Sequence, residues 1–214
     1  MQKTIYCISG LGADEKVFDN LRLNGYQLKY IPWLLPHKKE SLGHYAGRMA
    51  ACIKNDSAVL LGVSFGGMVG IEIASQIPLK RLIIVSSIKS TTEMPKWMKV
   101  AGLLRLNKVI PTRPYSFTEK IDNARLGVST PEEKEMVKAY RKKVDPVYLN
   151  WAIHQVLKWK NNWQPENIIH IHGDKDKIFP IKKINPTHTI KDGTHMIIYN
   201  RAKEIASYLE KELN

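Results

Sequence analysis

The chain has 214 residues and 43% of them are hydrophobic, enough to bury the core of one large α/β domain or two small ones. No apolar run approaches the about 20 residues that cross a bilayer, and the first residues do not resemble a secretory signal, so we expect no membrane span. The net charge is +13, but no DNA- or RNA-binding pattern accompanies it, so we expect no nucleic acid partner.

Six short apolar runs, rich in β-branched residues, predict the strands of a buried parallel sheet. Helical patterns lie between most of them, and Asp14 and Glu15 predict one further helix start. The alternation of strands and helices predicts the α/β class, with an open parallel sheet covered by helices on both faces. The predicted strands are 3–9, 27–31, 58–63, 81–86, 167–172 and 187–191, and the helices are 41–54, 66–76 and 201–213.

Residues 87–166 contain no predicted strand but hold four of the five tryptophans. Two helix starts are recognisable, Thr130-Pro131 with a capping box and Asp145-Pro146. The interval is too long and too apolar for a loop. We therefore expect a single domain over residues 1–214, with a helical insertion at about 88–165 that lies over one end of the sheet.

Reactive residue types follow several of the predicted strands. Ser64 follows the third strand, Asp174 and Asp176 follow the fifth, and His195 follows the sixth. Active sites of open parallel sheets form at the carboxyl ends of the strands, so these side chains are expected to meet. A histidine can remove the proton of a serine hydroxyl, and a carboxylate can orient that histidine. The combination predicts nucleophilic catalysis by Ser64.

The sequence around Ser64 is Gly-x-Ser-x-Gly at the junction of a strand and a helix. A sharp turn there would expose the serine and would leave no room for side chains at Gly62 and Gly66. The amide of Phe65 would then face the oxyanion of a reacting carbonyl. We expect a second amide from Leu11, because the glycines on either side of it, Gly10 and Gly12, allow the backbone to approach closely.

The chain order of serine, aspartate and histidine resembles that of the α/β-hydrolase family. GVSFGG is similar to the nucleophile elbow of that family, HGDKDKIFP to its acid loop and DGTHMI to its histidine loop. The resemblance covers nearly the whole chain and implies a minimal α/β-hydrolase fold of about six mostly parallel strands, with a cap at the insertion. It also implies that Asp176 is the acid. Asp174 is the other candidate for that role, and we expect it instead to hydrogen-bond or cap the turn. Ser9-Gly10 departs from the usual His-Gly of the family.

The expected function is that of a serine hydrolase that cleaves a carboxylic ester or thioester of a small to medium acyl group, without a metal or organic cofactor. One alternative is an ester linked to an acidic carrier protein, which would meet basic residues of the insertion. Residues 89–160 hold 15 Lys and Arg against 7 Asp and Glu, and the basic residues in question are Arg125, Lys138, Arg141, Lys142 and Lys143.

Two further alternatives remain. The fold could serve a binding protein that is not an enzyme. His170, His172 and Asp174 resemble part of the ligand run of the metallo-β-lactamase family, although Lys175 stands where that family has another histidine.

The two cysteines, Cys7 and Cys52, show no CxxC motif and predict buried free thiols, so we expect a cytoplasmic protein.

Overall fold

The six predicted strands pair side by side in one sheet, in a computed structural model that describes residues 3–54, 57–104 and 119–213. The order across the sheet is β2-β1-β3-β4-β5-β6, and every neighbouring pair is parallel. This confirms the predicted α/β class. The strands are β1 (Lys3–Ile8), β2 (Tyr26–Tyr30), β3 (Val59–Val63), β4 (Arg81–Val85), β5 (Ile168–Gly173) and β6 (His188–Ile190).

Helices cover both faces of the sheet, as predicted. One face packs against α1 (Leu42–Ala50) and α2 (Phe65–Ala74). The other packs against a short 3-10 helix (Glu15–Phe18), α7 (Ile197–Asn200) and α8 (Ala202–Leu213). All five residues of β3 are buried, which explains why its sequence is a continuous apolar run rather than an alternating one.

Four helices follow β4 and precede β5 in the described part of the chain. Residues 105–118 of the predicted insertion lie outside the described residues, and the described remainder of 88–165 contains no strand. The indole nitrogen of Trp159 donates to Glu72 Oε1 of α2 at 2.7 Å, so the end of the insertion is attached to the core. The helices are α3 (Lys96–Leu103), α4 (Glu119–Leu126), α5 (Pro131–Lys143) and α6 (Pro146–Lys158).

The predicted helix starts are confirmed. Asp145 accepts from the amides of residues 147 and 148 at the start of α6, and Asp14 caps the 3-10 helix. Thr130 and Glu133 form the capping box of α5.

None of the helices in the described ranges has the length and apolar character that crossing a bilayer requires. Cys7 is buried as expected, but Cys52 is only half-buried, and both are free thiols.

Glu133 links the inserted helix α5 to the core. Its carboxylate accepts from the amides of Ser129 at 2.7 Å and Thr130 at 3.0 Å, and from Asn200 Nδ2 of α7 at 2.9 Å. Burial alone would raise the pKa of Glu133, but these hydrogen bonds outweigh burial and lower it. The carboxylate therefore stabilises the folded chain in its ionised form.

We expect Glu133→Gln to lower the free energy of unfolding at pH 7 by about 1 kcal/mol, because the amide accepts more weakly than the carboxylate. The pKa of Glu133 is lower in the folded than in the unfolded chain, where it is about 4.3. The wild-type advantage is therefore complete above that value and is lost as the pH falls through the lower, folded pKa. Urea unfolding of both proteins between pH 7 and pH 3 measures this.

Glu135→Gln is the matched control, because Glu135 lies on the same helix with 74% of its side chain exposed and, among the described residues, forms an ion pair with Lys138 alone, at 3.5 Å. We expect it to leave the free energy of unfolding within about 0.5 kcal/mol of wild type at every pH. A constant difference between wild type and Glu133→Gln across the pH range would contradict the role of the ionised carboxylate.

Candidate active site

Ser64 occupies the turn between β3 and α2 with an unusual backbone. Its φ is 53° and its ψ is −117°, a region that costs a residue with a side chain roughly 1–3 kcal/mol. Two contacts from β4 and the loop after it hold this conformation. The Ser64 amide donates to Val85 O at 2.9 Å, and Ser87 Oγ donates to Ser64 O at 2.7 Å.

The two elbow glycines lie where the sequence analysis expected them. A methyl group at Gly62 would collide with the backbone of Gly66, and one at Gly66 would collide with the carbonyl oxygens of Ile8 and Ser9. The absence of side chains at both positions lets the first turn of α2 lie against the end of β1. Ser64 is thereby brought next to the loop that follows β1.

The structure brings together the three predicted reactive side chains. His195 Nε2 lies 2.9 Å from Ser64 Oγ, and His195 Nδ1 lies 2.7 Å from Asp176 Oδ2. Asp176 is 4% exposed and His195 is 6% exposed, so the chain of contacts is shielded from water. These are hydrogen-bond distances, and the order matches a nucleophile, a base and an orienting acid.

Asp176 uses its two carboxylate oxygens for different partners. Oδ1 accepts from the amides of Ile178 at 2.8 Å and Phe179 at 2.9 Å, while Oδ2 faces His195. Burial alone would raise the pKa of Asp176, but the charge and hydrogen bond of His195, with further help from His172 and the Phe179 amide, lower it. An ionised Asp176 accepts the proton on Nδ1, which leaves Nε2 free to accept from Ser64.

Asp176 itself caps the turn for which Asp174 was expected. Asp174 Oδ1 is buried and has no hydrogen-bond partner among the described residues. Asp174 and Asp176 are two residues apart, and only Asp176 has its carboxylate directed at the loop amides and the histidine. The turn contacts predicted for Asp174 therefore belong to Asp176, and that prediction is wrong.

His172 supports the acid and was not predicted to do so. Its Nε2 donates to Phe179 O at 2.8 Å and lies 3.5 Å from Asp176 Oδ2. Burial lowers the pKa of His172 more than the Asp176 charge raises it, so the ring is neutral near pH 7. His172 holds the acid loop in place without adding a second positive charge beside His195.

The two predicted oxyanion amides belong to segments that flank Ser64. Phe65 begins α2, where the first amides of a helix have no intrahelical acceptor. Among the described residues, no hydrogen bond engages the amide of Phe65 or that of Leu11. Gly12 has a φ of 74°, which suits glycine, and a methyl group at Gly10 would meet the Ser64 Cβ at 3.6 Å, an ordinary contact. The Gly10–Gly12 loop therefore lies beside the nucleophile.

Ser9 and Trp33 shape this loop, and neither was predicted as a site residue. Ser9 Oγ donates to Ala13 O at 2.7 Å and accepts a hydrogen bond from Trp33 Nε1 at 3.0 Å. Tyr30 Oη also lies 3.2 Å from Ser9 Oγ. Trp33 lies three residues after β2, and its place near a strand end is the signal in the sequence that could have indicated it. These contacts tie the loop after β1 to Trp33 and Tyr30.

Aromatic side chains form a wall next to the elbow. The Trp33 ring lies 5.4 Å from Phe65 and 5.3 Å from Tyr148, while Trp151 lies 4.3 Å from Tyr45 and 6.2 Å from Phe65. Tyr148 and Trp151 come from α6, so the insertion packs into this wall, in which Tyr45, Phe65 and Tyr148 are buried and Trp33 and Trp151 are half-buried. An apolar wall beside a nucleophile suits an apolar substrate group.

Solved structures with a similar fold align with nearly the whole chain. MenH from S. aureus is 17% identical, with a TM-score of 0.76, covering 100% of this chain and 96% of that one. The chain has the α/β-hydrolase fold. A bromoperoxidase from Bacillus anthracis (14% identity, TM-score 0.74) covers 100% of this chain and 92% of that one. An esterase from Thermogutta terrifontis is 16% identical, with a TM-score of 0.70, and the match covers 99% of this chain and 91% of that one. No protein-family model and no curated protein matches the sequence.

The metal alternative does not fit this α/β-hydrolase fold. His170 and His172 share one face of β5, with ring centroids 5.3 Å apart, but His172 Nε2 is bonded to the Phe179 carbonyl. Within the described ranges, His170, His172 and Asp174 do not form a group whose ligand atoms could share one ion. Burial also lowers the pKa of His170 well below its usual range, as expected for a neutral core histidine.

The basic residues of the insertion differ in what they contact. Arg141 lies 3.4 Å from Glu119 Oε1 and donates to Asn123 Oδ1 at 2.8 Å, so it joins α5 to α4. Lys143 Nζ lies 3.9 Å from Asp14 Oδ2, and Lys142 is exposed. An acidic carrier protein at this surface stays a prediction, and Lys142→Glu tests it better than a change at Arg141, which would break the helix contact.

We expect Gly66→Ala to lower the free energy of unfolding by about 1–3 kcal/mol, because the new methyl group meets backbone oxygens that cannot move away. Gly10→Ala is the matched control, since its methyl group would lie in ordinary contact, and we expect a change within about 0.5 kcal/mol. Urea unfolding at pH 7 compares the two. Equal stability of both variants would show that the elbow tolerates a side chain at position 66.

Proposed function

We propose that the protein is a serine hydrolase that cleaves a carboxylic ester or thioester of a small to medium acyl group through an acyl-enzyme. The observation that supports this most strongly is the continuous hydrogen-bonded series from Ser64 through His195 to Asp176, at 2.9 Å and 2.7 Å. A structural serine does not require a strained backbone, a buried base and a buried carboxylate in series. The fold also occurs in proteins named as esterases.

In the first step, Ser64 Oγ attacks the carbonyl carbon of the substrate while its proton passes to His195 Nε2. The ionised Asp176 stabilises the imidazolium that forms. The carbonyl oxygen becomes an oxyanion, and the amides of Phe65 and Leu11 donate hydrogen bonds to it. The strain at Ser64 keeps the hydroxyl oriented, so little reorganisation is needed during the attack.

In the second step, the imidazolium of His195 protonates the leaving alcohol or thiol, and the acyl group stays on Ser64. Water then enters, gives a proton to His195 Nε2 and attacks the acyl carbon. The second oxyanion uses the same two amides, and collapse of the intermediate returns the proton from His195 to Ser64 Oγ. No metal or organic cofactor takes part in this scheme.

We infer that residues of about 88–165 act as a cap within a single domain of residues 1–214. The support is the position of α6, whose Tyr148 and Trp151 join the aromatic wall at the elbow. The acyl chain attached to the attacked carbonyl would extend toward Trp33 and Trp151, the half-buried members of this wall. The wall favours acyl chains that are apolar and short to medium in length.

A panel of p-nitrophenyl esters of increasing chain length tests the function. We expect wild type to hydrolyse the short and medium esters with or without a chelator, and Ser64→Ala to lose at least about 1000-fold in kcat. Ser75→Ala is the matched control, because Ser75 lies at the other end of α2 and its hydroxyl donates to Glu72 O at 2.8 Å, within the same helix. Turnover that survives in Ser64→Ala would overturn the proposal.

A second test addresses the loop after β1. Trp33→Phe keeps an aromatic ring against Phe65 but removes the N–H that reaches Ser9 Oγ at 3.0 Å and Gly10 O at 3.3 Å. If these bonds position the Leu11 amide, kcat falls by roughly tenfold while KM changes little, because the lost interaction belongs to the transition state. A change in KM alone would assign Trp33 to substrate binding instead.

A further inference from the structure

His37, Glu40 and His44 form a cluster that is separate from the Ser64 site. His37 and Glu40 belong to the loop after β2, and His44 lies in the first turn of α1. One ligand atom of each side chain lies within 4.8 Å of the other two, and no other such group of three occurs in the part of the chain that the structure describes. We propose that this cluster binds a divalent transition-metal ion, with Zn²⁺ as the best fit to two imidazoles and one carboxylate.

The two oxygens of Glu40 have different surroundings. Oε2 accepts from Arg48 Nη1 at 2.8 Å and from the His37 amide at 2.7 Å, so it is fully used by the fold. Oε1 faces only the two imidazoles, with His44 Nδ1 at 2.6 Å and His37 Nδ1 at 3.8 Å. The Glu40 side chain is 1% exposed, which fixes Oε1 in one position. Oε1 is therefore the anchored ligand of the site.

The spacing of the three ligand atoms suits a tetrahedral ion. Ligands about 2.0–2.2 Å from Zn²⁺ lie roughly 3.4 Å from one another in a tetrahedron. The separations of 2.6 Å and 3.8 Å from Oε1 lie on either side of that value. Both histidine side chains are 65% exposed, so each ring can move to bring its nitrogen to that separation from Oε1, and water can complete the coordination.

Metal binding would replace a hydrogen bond that exists without metal. His44 Nδ1 donates to Glu40 Oε1, and this proton must leave Nδ1 before the nitrogen can coordinate. Arg48 already neutralises Glu40, and Lys38 and Lys39 add positive charge on the same exposed loop. We therefore expect weaker binding than at a structural zinc site with cysteine ligands.

The cluster lies at the junction of the core and the insertion. The backbone oxygen of Glu40 accepts from Trp151 Nε1 at 2.8 Å and Gln155 Nε2 at 3.2 Å, both on α6. An ion that fixes the loop would therefore also fix the attachment of α6. Because the ion binds the folded chain, saturating Zn²⁺ raises the temperature of unfolding.

The experiment uses the full chain without a histidine tag, stripped with a chelator and dialysed. We expect calorimetric titration with Zn²⁺ to show one ion per chain, and Co²⁺ to give visible absorption of a nitrogen- and oxygen-coordinated ion. His37→Ala and His44→Ala should each weaken Zn²⁺ binding by more than about tenfold. Both side chains are exposed, so the variants should fold, and far-ultraviolet circular dichroism checks this.

His188→Ala is the matched control. His188 Nε2 lies 2.8 Å from Glu212 Oε1, a similar pair of histidine and glutamate, but it belongs to no described group of three ligands. We expect this variant to bind Zn²⁺ as wild type does. The proposal is overturned by a wild type that binds no Zn²⁺, or by a titration that either single variant of His37 or His44 leaves unchanged. Neither outcome depends on the hydrolase activity.

Discussion

The conformation of Ser64 is the constraint on which the rest of the candidate site depends. A positive φ at a serine is unfavourable, and it persists because contacts on three sides fix the surrounding backbone. Val85 accepts its amide proton, Ser87 donates to its carbonyl, and β1 packs against Gly66. The parallel sheet supplies all of these contacts, since β1 and β4 both flank β3. The hydrogen bonds and packing around Ser64 thus offset the free-energy cost of its strained backbone.

The two carboxylate oxygens of Asp176 also have separate partners. Asp176 contacts His195 with one oxygen and the amides of its own loop with the other, so the orientation of the imidazole and the conformation of the loop are coupled. His172 adds a neutral donor beneath that loop. Glu40 shows the same division at the His37–Glu40–His44 cluster, where one oxygen serves the fold and the other faces the imidazoles.

Much of this arrangement could be predicted from the sequence, and the reasons are local. Buried parallel strands are continuous apolar runs, and glycines on both sides of a serine mark a turn that excludes side chains. Strand ends of a parallel sheet meet at one edge, so Ser64, Asp176 and His195 could be expected to converge. The contacts of Ser9, Trp33 and His172 could not be predicted in this way. They are hydrogen bonds of single side chains, some between separate segments, as from Trp33 to Ser9, and some within one short segment, as from His172 to Phe179. No periodicity or motif encodes them.

The distribution of the tryptophans has a spectroscopic consequence. Trp33 and Trp151 lie at the aromatic wall, and Trp159 is 5% exposed where the insertion ends against α2. Trp97 and Trp163 are 52% and 45% exposed, so they already emit as hydrated indoles. Movement of α6 away from the core would expose Trp151, which lies on that helix and contacts Tyr45 and Phe65. Intrinsic fluorescence excited at the indole band therefore distinguishes opening of the insertion from unfolding of the chain, without an added label.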